Sequence, residues 1–266
     1  MRRLDPADLL VFAPHPDDEV IGTGGVMQQA LVAGRRVRVV FSTSGDGYPK
    51  AASALLGKPE ASLGPADFIQ LGETRRQEAI AAAHELGVPE SRLVFLGYPD
   101  AALDELFERG DRGPVRSPWT LLAASPISGS PYTHADALDD FADVLRASDA
   151  SEVYVTDWTD EHLDHRATNG FVHEAMNAVG SGARLRTFMV HAGGVAWPPA
   201  GPLYGTVVID GVTQPAGVPW PPPIRVPLTP EQSARKRRAL EAHASQWTID
   251  RDYLDRLAKD EEVFWG

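Results

Sequence analysis

The sequence contains no cysteine among its 266 residues. This absence excludes disulfides, thiolate nucleophiles and cysteine-based zinc sites. Any metal ion held by side chains must therefore be bound by histidine, aspartate or glutamate, which together form sites of nitrogen and oxygen ligands.

Positive charge and long apolar runs are also scarce. Lysine and arginine number 25 against 37 aspartates and glutamates, which gives a formal net charge of −12. Such acidity disfavours nucleic acids and anionic membrane surfaces as partners. No run approaches the length needed to span a bilayer, and the N-terminal run is interrupted by Asp5, Pro6 and Asp8, unlike a signal peptide. We expect a soluble cytoplasmic protein with a small-molecule substrate, and a homo-oligomer is compatible with the sequence.

Short apolar runs that end in polar residues alternate with segments of helical periodicity. This alternation predicts an α/β fold, a Rossmann-like, doubly wound and mostly parallel sheet with helices on both faces. The length fits a single domain over residues 1–266. The predicted strands are DLLVFA, RVRVVFSTS, RLVFLGYPD, EVYVTDW and LRTFMVHAG, and the predicted helices are GGVMQQALVAGRRV, LGETRRQEAIAAAHELGV, ADALDDFADVLRAS, DHRATNGFVHEAMNAV and TPEQSARKRRALEAHASQW.

Two segments interrupt this alternation. Residues 109–134 are rich in glycine, proline and serine and are long for a connection, so we expect a lid loop. Residues 193–230 are rich in proline, which excludes helices and central strands but allows edge strands. The closing helix after this segment should begin with Thr229 as N-cap and Pro230 at its first position.

Four polar clusters follow predicted strands: residues 14–19, 42–46, 97–100 and 157–165. In open parallel sheets, ligands bind beyond the carboxyl ends of the strands. We therefore expect these clusters to line a single cavity mouth. The first cluster lies in VFAPHPDDEVIGTGG, residues 11–25, where one histidine and three carboxylates stand between an apolar run and glycines.

Two of these clusters together predict a metal site. In DEHLDHRA, His162 and His165 are three residues apart and would share a helix face. His15, one of Asp17 and Asp18, and His165 would form the three-ligand set of a catalytic zinc site, although Fe²⁺, Mn²⁺ or Co²⁺ also suit such ligands. Each cluster alone is typical of a solvated turn or a helix N-cap. Their convergence on one sheet edge favours a site.

Short polar motifs run in order through nearly the whole chain. They are PHPDDE (14–19) with the following GTGG, TSGDG (43–47), ETRRQEA (73–79), GYPD (97–100), DEHLDH (160–165) and KRRALEAHASQ (236–246). Together they resemble the motifs of the LmbE-like, PIG-L-type zinc-dependent N-deacetylase family.

The resemblance implies a role for each matching residue. His15, Asp18 and His165 would hold zinc, Asp17 would be the general base, and His162 would face the oxyanion. The remaining two, Arg75 and Asp100, would contact polar groups of the substrate. Physically, a protonated His162 would be a charge-assisted donor to the oxyanion, and Asp160 or Asp164 would orient a histidine.

The implied activity is hydrolysis of an N-acetylglucosamine-containing small molecule to acetate and a free amine. Two alternatives stay open: an amidase that cleaves the amide of a thiol conjugate, and a non-catalytic protein that binds sugar or metal. A related hydratase class departs from the HPDD motif, which this chain retains.

Several residues have no assigned role from the sequence. His84 and His173 read as surface or packing residues, whereas the roles of His134 and His191 stay open. Lys236 aligns with a family lysine inside the basic run RKRR. The aromatic residues Trp119, Tyr132 and Trp158 could stack on a sugar, although such residues more often anchor cores and loops.

Overall fold

The computed structural model describes residues 4–110, 112–191 and 223–266. Most of the predicted proline-rich segment, residues 193–222, lies outside them. The described end of that segment contains a short edge strand, as its composition allows.

Five parallel strands form the central sheet in the order β3-β2-β1-β4-β5. This is the Rossmann-like order, and it confirms the predicted fold class. Two further strands pair antiparallel with each other. The described strands are β1 (Leu9–Ala13), β2 (Val37–Thr43), β3 (Leu93–Tyr98), β4 (Glu152–Thr156), β5 (Arg184–Phe188), β6 (Ile224–Pro227) and β7 (Glu261–Phe264).

Helices cover both faces of the sheet. Along β1, alternate side chains point to opposite faces: Leu9 and Val11 join one core, whereas Leu10 and Phe12 join the other. Side chains of α1, α3, α7 and α8 fill the first core, and those of α4, α5 and α6 fill the second. The described helices are α1 (Asp18–Val32), α2 (Pro49–Leu56), α3 (Pro65–Leu86), α4 (Leu103–Arg109), α5 (His134–Ser148), α6 (Leu163–Val179), α7 (Pro230–Ala242) and α8 (Ala244–Leu257).

The structure corrects two predicted helices. The first begins at Asp18 and not at Gly24, so the whole GTGG motif is helical. The predicted closing helix is two helices, because the backbone leaves the helical region at His243. The predicted cap is present: Thr229 accepts a hydrogen bond from the Gln232 amide and Pro230 occupies the first position. Sequence periodicity gave no sign of α2, α4 or β7.

The glycines of α1 allow close packing against the rest of the domain. A Cβ atom at Gly22 would lie 2.2 Å from the ring of Phe188, and one at Gly25 would lie 2.1 Å from Leu228. Neither distance leaves room for a methyl group. The GTGG motif therefore brings α1 against β5 and the chain before α7.

Gly22→Ala is accordingly expected to lower the free energy of unfolding by about 1–2 kcal/mol. Overpacking costs about 1–3 kcal/mol, and the higher helix propensity of alanine offsets up to about 1 kcal/mol of it. Urea unfolding measures the change. Gly182→Ala is the control, because a Cβ there meets no atom within 4 Å, and equal stability of both variants would contradict the packing argument.

The predicted lid, residues 109–134, contains no helix or strand in its described part between α4 and α5. Ser125 Oγ donates to the Leu96 carbonyl at 2.6 Å, and Tyr132 Oη donates to the Gly97 carbonyl at 3.0 Å. The loop thus packs on the end of β3. Closure of this loop over a substrate stays a prediction.

Within the described chain, no helix is both long enough and apolar enough to cross a membrane. Cytoplasmic location and the oligomeric state stay predictions.

Candidate active site

The loop after β1 carries the first half of the site. Its histidine, His15, precedes α1, whose first residue is Asp18, and the His15 amide donates to Asp18 Oδ2 at 2.9 Å. Asp17 is the N-cap residue and has a φ of 132°. Non-glycine residues rarely adopt this conformation, which costs about 1–3 kcal/mol and persists where surrounding contacts enforce it.

The loop after β4 carries the second half. Asp160 Oδ1 accepts the His162 amide at 3.0 Å, and His162 is the N-cap of α6. The fully buried His165 follows in the first turn of that helix. Since β1 and β4 are neighbours in the sheet, their two loops meet at the point where the strand order reverses.

Three atoms of these loops form an equilateral triangle. His15 Nδ1, Asp18 Oδ2 and His165 Nε2 lie 3.2 Å from one another. Ligand bonds of about 2.0–2.1 Å in a tetrahedral zinc site place the ligand atoms about 3.3 Å apart. The triangle therefore has the dimensions of three ligands on one ion, and it contains Asp18, the aspartate that the spacing alone left undecided.

Each histidine of the triangle has a carboxylate beside its other ring nitrogen. His15 Nε2 lies 3.2 Å from Asp164 Oδ2 and 3.3 Å from Asp100 Oδ1. His165 Nδ1 lies 3.2 Å from Asp160 Oδ1. Such carboxylates fix the tautomer and orientation of metal-binding histidines. Both acids named from the sequence for this purpose thus lie beside a histidine.

Two other groups of side chains are close enough to hold an ion: His15, His162 and His165, and His15, Asp100 and Asp164. We favour the triangle over both for two reasons. The first alternative includes His162, whose Nδ1 already accepts the Asp164 amide at 3.3 Å. The second would use the carboxylates that otherwise orient His15.

Neighbouring charges shift the pKa values of the triangle residues. Burial alone would lower the pKa of both histidines, but the neighbouring carboxylates outweigh it; they raise the pKa of His15 well above its usual value and that of His165 to about 10. Burial would raise the pKa of Asp18, but the two histidines hold it well below its usual value. A carboxylate that stays ionised between two imidazoles is suited to hold a cation.

Asp17 stands beside the triangle in a different environment. Burial raises its pKa to about 6, and the Arg75 guanidinium opposes that rise. The Arg75 side chain donates to Asp17 Oδ2 at 3.1 Å and to the carbonyls of Pro16 and Gly45 at 2.6 and 2.8 Å. Arg75 therefore holds both the backbone and the carboxylate of this loop.

Arg75 and Arg76, which are adjacent in sequence, lie in different environments in the structure. Arg75 is buried at the site, whereas Arg76 pairs with Glu73 on the outer side of α3 at 2.8 Å. The other residue with an implied substrate role, Asp100, lies at the end of β3 and accepts the Gly47 amide at 2.6 Å. Both Arg75 and Asp100 line the same cavity as the triangle.

His162 faces this cavity as a neutral imidazole. Burial, together with the positive charge of His15 and His165, lowers its pKa to about 3. Because its Nδ1 accepts an amide hydrogen, its proton belongs on Nε2. A neutral His162 would donate through Nε2–H, and the charge-assisted donor expected from the sequence stays a prediction.

Two buried side chains, Glu19 and His243, support Asp17 through successive contacts that the sequence did not predict; we call this pair the relay. Glu19 Oε2 accepts the Asp17 amide at 2.9 Å, and Glu19 Oε1 lies 3.1 Å from His243 Nε2. Burial lowers the pKa of His243, but Glu19 outweighs that effect and raises it. The break between α7 and α8 thus contacts the loop of the candidate base.

The cavity has a volume of about 460 Å³, within the range of small-molecule sites. Beyond the predicted residues, its walls include side chains that sequence reasoning missed. These are Ile21, Tyr48, Val190, Gln246, Asp250, Tyr253 and Leu254. His191, left open from the sequence, also lines the cavity, and its Nδ1 lies 3.3 Å from Tyr253 Oη.

The remaining sequence candidates lie elsewhere. His134 pairs with Glu174 at 3.2 Å, and Lys236 forms a buried ion pair with Glu262 at 2.7 Å. Tyr132 is buried in its loop, and Trp158 is exposed. None of the aromatics proposed for sugar stacking belongs to the described lining of the cavity.

Asp160→Asn is expected to weaken metal binding by about 10- to 100-fold, the usual effect of losing a carboxylate that orients a histidine ligand. Competition with a chelator measures the affinity. Asp157→Asn is the matched control from the same loop, since that buried carboxylate binds Thr159 and Thr187. Equal metal affinities in the two variants would remove Asp160 from the site.

The chain is similar in sequence and fold to known proteins. A sequence model of the PIG-L family, described as GlcNAc-PI de-N-acetylase, matches residues 10–176. A 1D-myo-inositol 2-acetamido-2-deoxy-alpha-D-glucopyranoside deacetylase of Kineococcus radiotolerans is 29% identical over 95% of this chain and 72% of its own length. The solved structure of the A40926 pseudoaglycone deacetylase Dbv21 matches with a TM-score of 0.63, at 21% identity over 98% of this chain and 97% of its own.

One relative has a different name and a greater length. A putative glucosamine-6-phosphate deaminase-like protein of Bacteroides thetaiotaomicron is 22% identical over 98% of this chain. The chain spans only 38% of that relative. Other curated matches cover 26–41% of relatives that carry the inositol-glucosaminide deacetylase name.

Proposed function

Since this chain belongs to the PIG-L family, we propose that it is a zinc-dependent hydrolase that removes acetyl from an N-acetylglucosamine-containing small molecule, releasing acetate and a free amine. The observation that carries the proposal is the 3.2 Å triangle of His15, Asp18 and His165 at the cavity that Asp17 and His162 also line. A site that bound metal only for stability would not need two further polar groups there.

The donor set fits a divalent ion of the zinc type. His15, Asp18 and His165 would hold it, and three protein ligands leave a position for a reactant. When bound, the ion would supply Lewis-acid polarisation to the amide carbonyl and the attacking water.

Asp17 and His162 would handle protons and charge. Asp17 would take a proton from the attacking water and return it to the departing nitrogen, as a general base and then a general acid. His162 Nε2–H would donate to the oxygen that becomes negative during attack. Donors of this kind contribute about 3–4 kcal/mol when they are positioned before the reaction.

Arg75 and Asp100 would serve binding and positioning. Arg75 fixes the carboxylate of Asp17, as its hydrogen bonds indicate. Asp100 Oδ2 holds the Gly47 amide, and its carboxylate at the cavity would accept a hydrogen bond from a substrate hydroxyl.

The test is amine release from a panel of N-acetylglucosamine compounds by protein stripped of metal and then reloaded with Zn²⁺. We expect no release without metal and restored release with one equivalent, with metal content determined on the same samples. Release of an acid larger than acetate, and only from a thiol conjugate, would instead identify the amidase alternative. Sugar binding without any turnover at full metal content would leave a binding protein.

A further inference from the structure

Helix α8 contributes a wall of the cavity that the proposed mechanism does not use. Gln246, Asp250, Tyr253 and Leu254 line it from this helix, and Tyr48 lines it from the chain before α2. A substrate larger than its reacting amide would have to lie against this wall. The wall therefore bears on which substrates the site accepts.

Asp250 lines the cavity and lies at a local break in the helix. Its φ and ψ of −117° and 31° are not helical, although the residues around it are. Tyr48 Oη donates to Asp250 Oδ2 at 2.7 Å, which ties the wall to α2. Burial raises the pKa of Tyr48, so its hydroxyl stays a neutral donor.

The second carboxylate oxygen of Asp250, Oδ1, can accept further hydrogen bonds. Asp250 Oδ1 lies 3.7 Å from Lys50 Nζ, which is beyond hydrogen-bond distance. A carboxylate oxygen can accept more than one hydrogen bond. Oδ1 is thus available to a hydroxyl group of a ligand, while an anionic group would be repelled.

Most of the charged side chains in the described lining of the cavity are negative. Four carboxylates line the cavity, Asp17, Asp18, Asp100 and Asp250, against a single arginine. That arginine, Arg75, is already paired with Asp17 at 3.1 Å. Even with a divalent ion bound to Asp18, the lining would not be net positive.

Two basic side chains lie beside wall residues and outside the described lining. Lys50 Nζ forms a long ion pair with Asp250 Oδ1 at 3.7 Å, and the Arg256 guanidinium lies over the Tyr253 ring at 5.9 Å.

We propose that the site selects uncharged amino sugars over phosphorylated or carboxylated ones, with Asp250 accepting a hydrogen bond from a substrate hydroxyl. This inference rests on the proposed deacetylase function. A phosphate at the wall would face Asp250 and Asp100 with no unpaired cation in the described lining, so it would lose its hydration without compensation. A neutral hydroxyl meets the same carboxylates as donor to acceptor.

The experiment compares methyl N-acetyl-glucosaminide with its 6-phosphate, which differ in charge at one position. We expect kcat/KM to be at least about tenfold higher for the neutral sugar. Asp250→Asn should raise KM for the neutral sugar by about tenfold, with little change in kcat. The ratio of kcat/KM between the neutral sugar and its 6-phosphate should become smaller in this variant. The control is Asp252→Asn, which removes an exposed carboxylate from the same helix. It should change neither KM for the neutral sugar nor the preference over the 6-phosphate. Equal or faster turnover of the phosphate, or an unchanged KM in Asp250→Asn, would overturn the proposal.

Binding measurements test the proposed selectivity independently of the proposed hydrolysis. Calorimetric titration with both sugars, on metal-loaded and metal-free protein, needs no turnover. Tighter binding of the neutral sugar without hydrolysis would contradict the deacetylase function and support the selectivity. Tighter binding of the phosphate to metal-free protein would contradict the selectivity, because no ion would be there to hold it.

Discussion

Replacing Asp17 with asparagine is expected to lower kcat by about 10²- to 10⁴-fold, the contribution of a general base, while metal content stays unchanged. Asparagine has nearly the same shape and can still accept the hydrogen bond from Arg75. It cannot take a proton from water. Asp18, and not Asp17, belongs to the triangle, so the ion should remain. Steady-state kinetics and metal analysis on the same preparation measure both quantities.

The control for this variant is Asp139→Asn, which removes an exposed carboxylate from α5. It should leave kcat and metal content as they are. An unaffected kcat in Asp17→Asn would exclude Asp17 as the base. Loss of metal from Asp17→Asn would make Asp17 a ligand and contradict the role of Asp18.

His165→Ala should lose both the ion and detectable amide hydrolysis. The substitution removes one of three ligand atoms. Even the loss of a residue that only supports a ligand costs about 10- to 100-fold in affinity. Metal content after dialysis measures the loss, and circular dichroism shows whether the variant is folded.

The same variant distinguishes among the candidate ion sites. Were the ion held by His15, Asp100 and Asp164, His165→Ala would keep it. Asp18→Asn separates the triangle from the grouping of three histidines, which does not use a carboxylate. His173→Ala is the control on the same helix; that side chain is exposed two turns further on, and the variant should retain stoichiometric metal.

Much of this site could be predicted because parallel strands impose it. Once β1 and β4 are recognised as strands, their following residues must meet at one sheet edge, which brings His15 and His165 together. Choosing between Asp17 and Asp18 required coordinates. The two differ in where the turn into α1 aims them, one toward Arg75 and the other toward His165, and spacing carries no such information.

The cavity wall and the relay could not be predicted for a different reason. Tyr48 and Asp250 are 202 residues apart in sequence, and Glu19 and His243 are 224 apart. Each pair forms only through packing of α8 or of the α7–α8 junction. The sequence periodicity predicted a single helix at the end of the chain, because a break at one residue leaves the apolar spacing on either side intact.

The unfavourable backbone conformation of Asp17 has a consequence for the order in which this protein becomes active. Its φ of 132° is maintained by groups from α3 and from the α7–α8 junction. Until α3 and the α7–α8 junction dock, the loop is free to relax and Asp17 has no fixed position. The sheet with its two histidines could then exist before hydrolysis is competent, so that activity would report completion of folding and not its beginning.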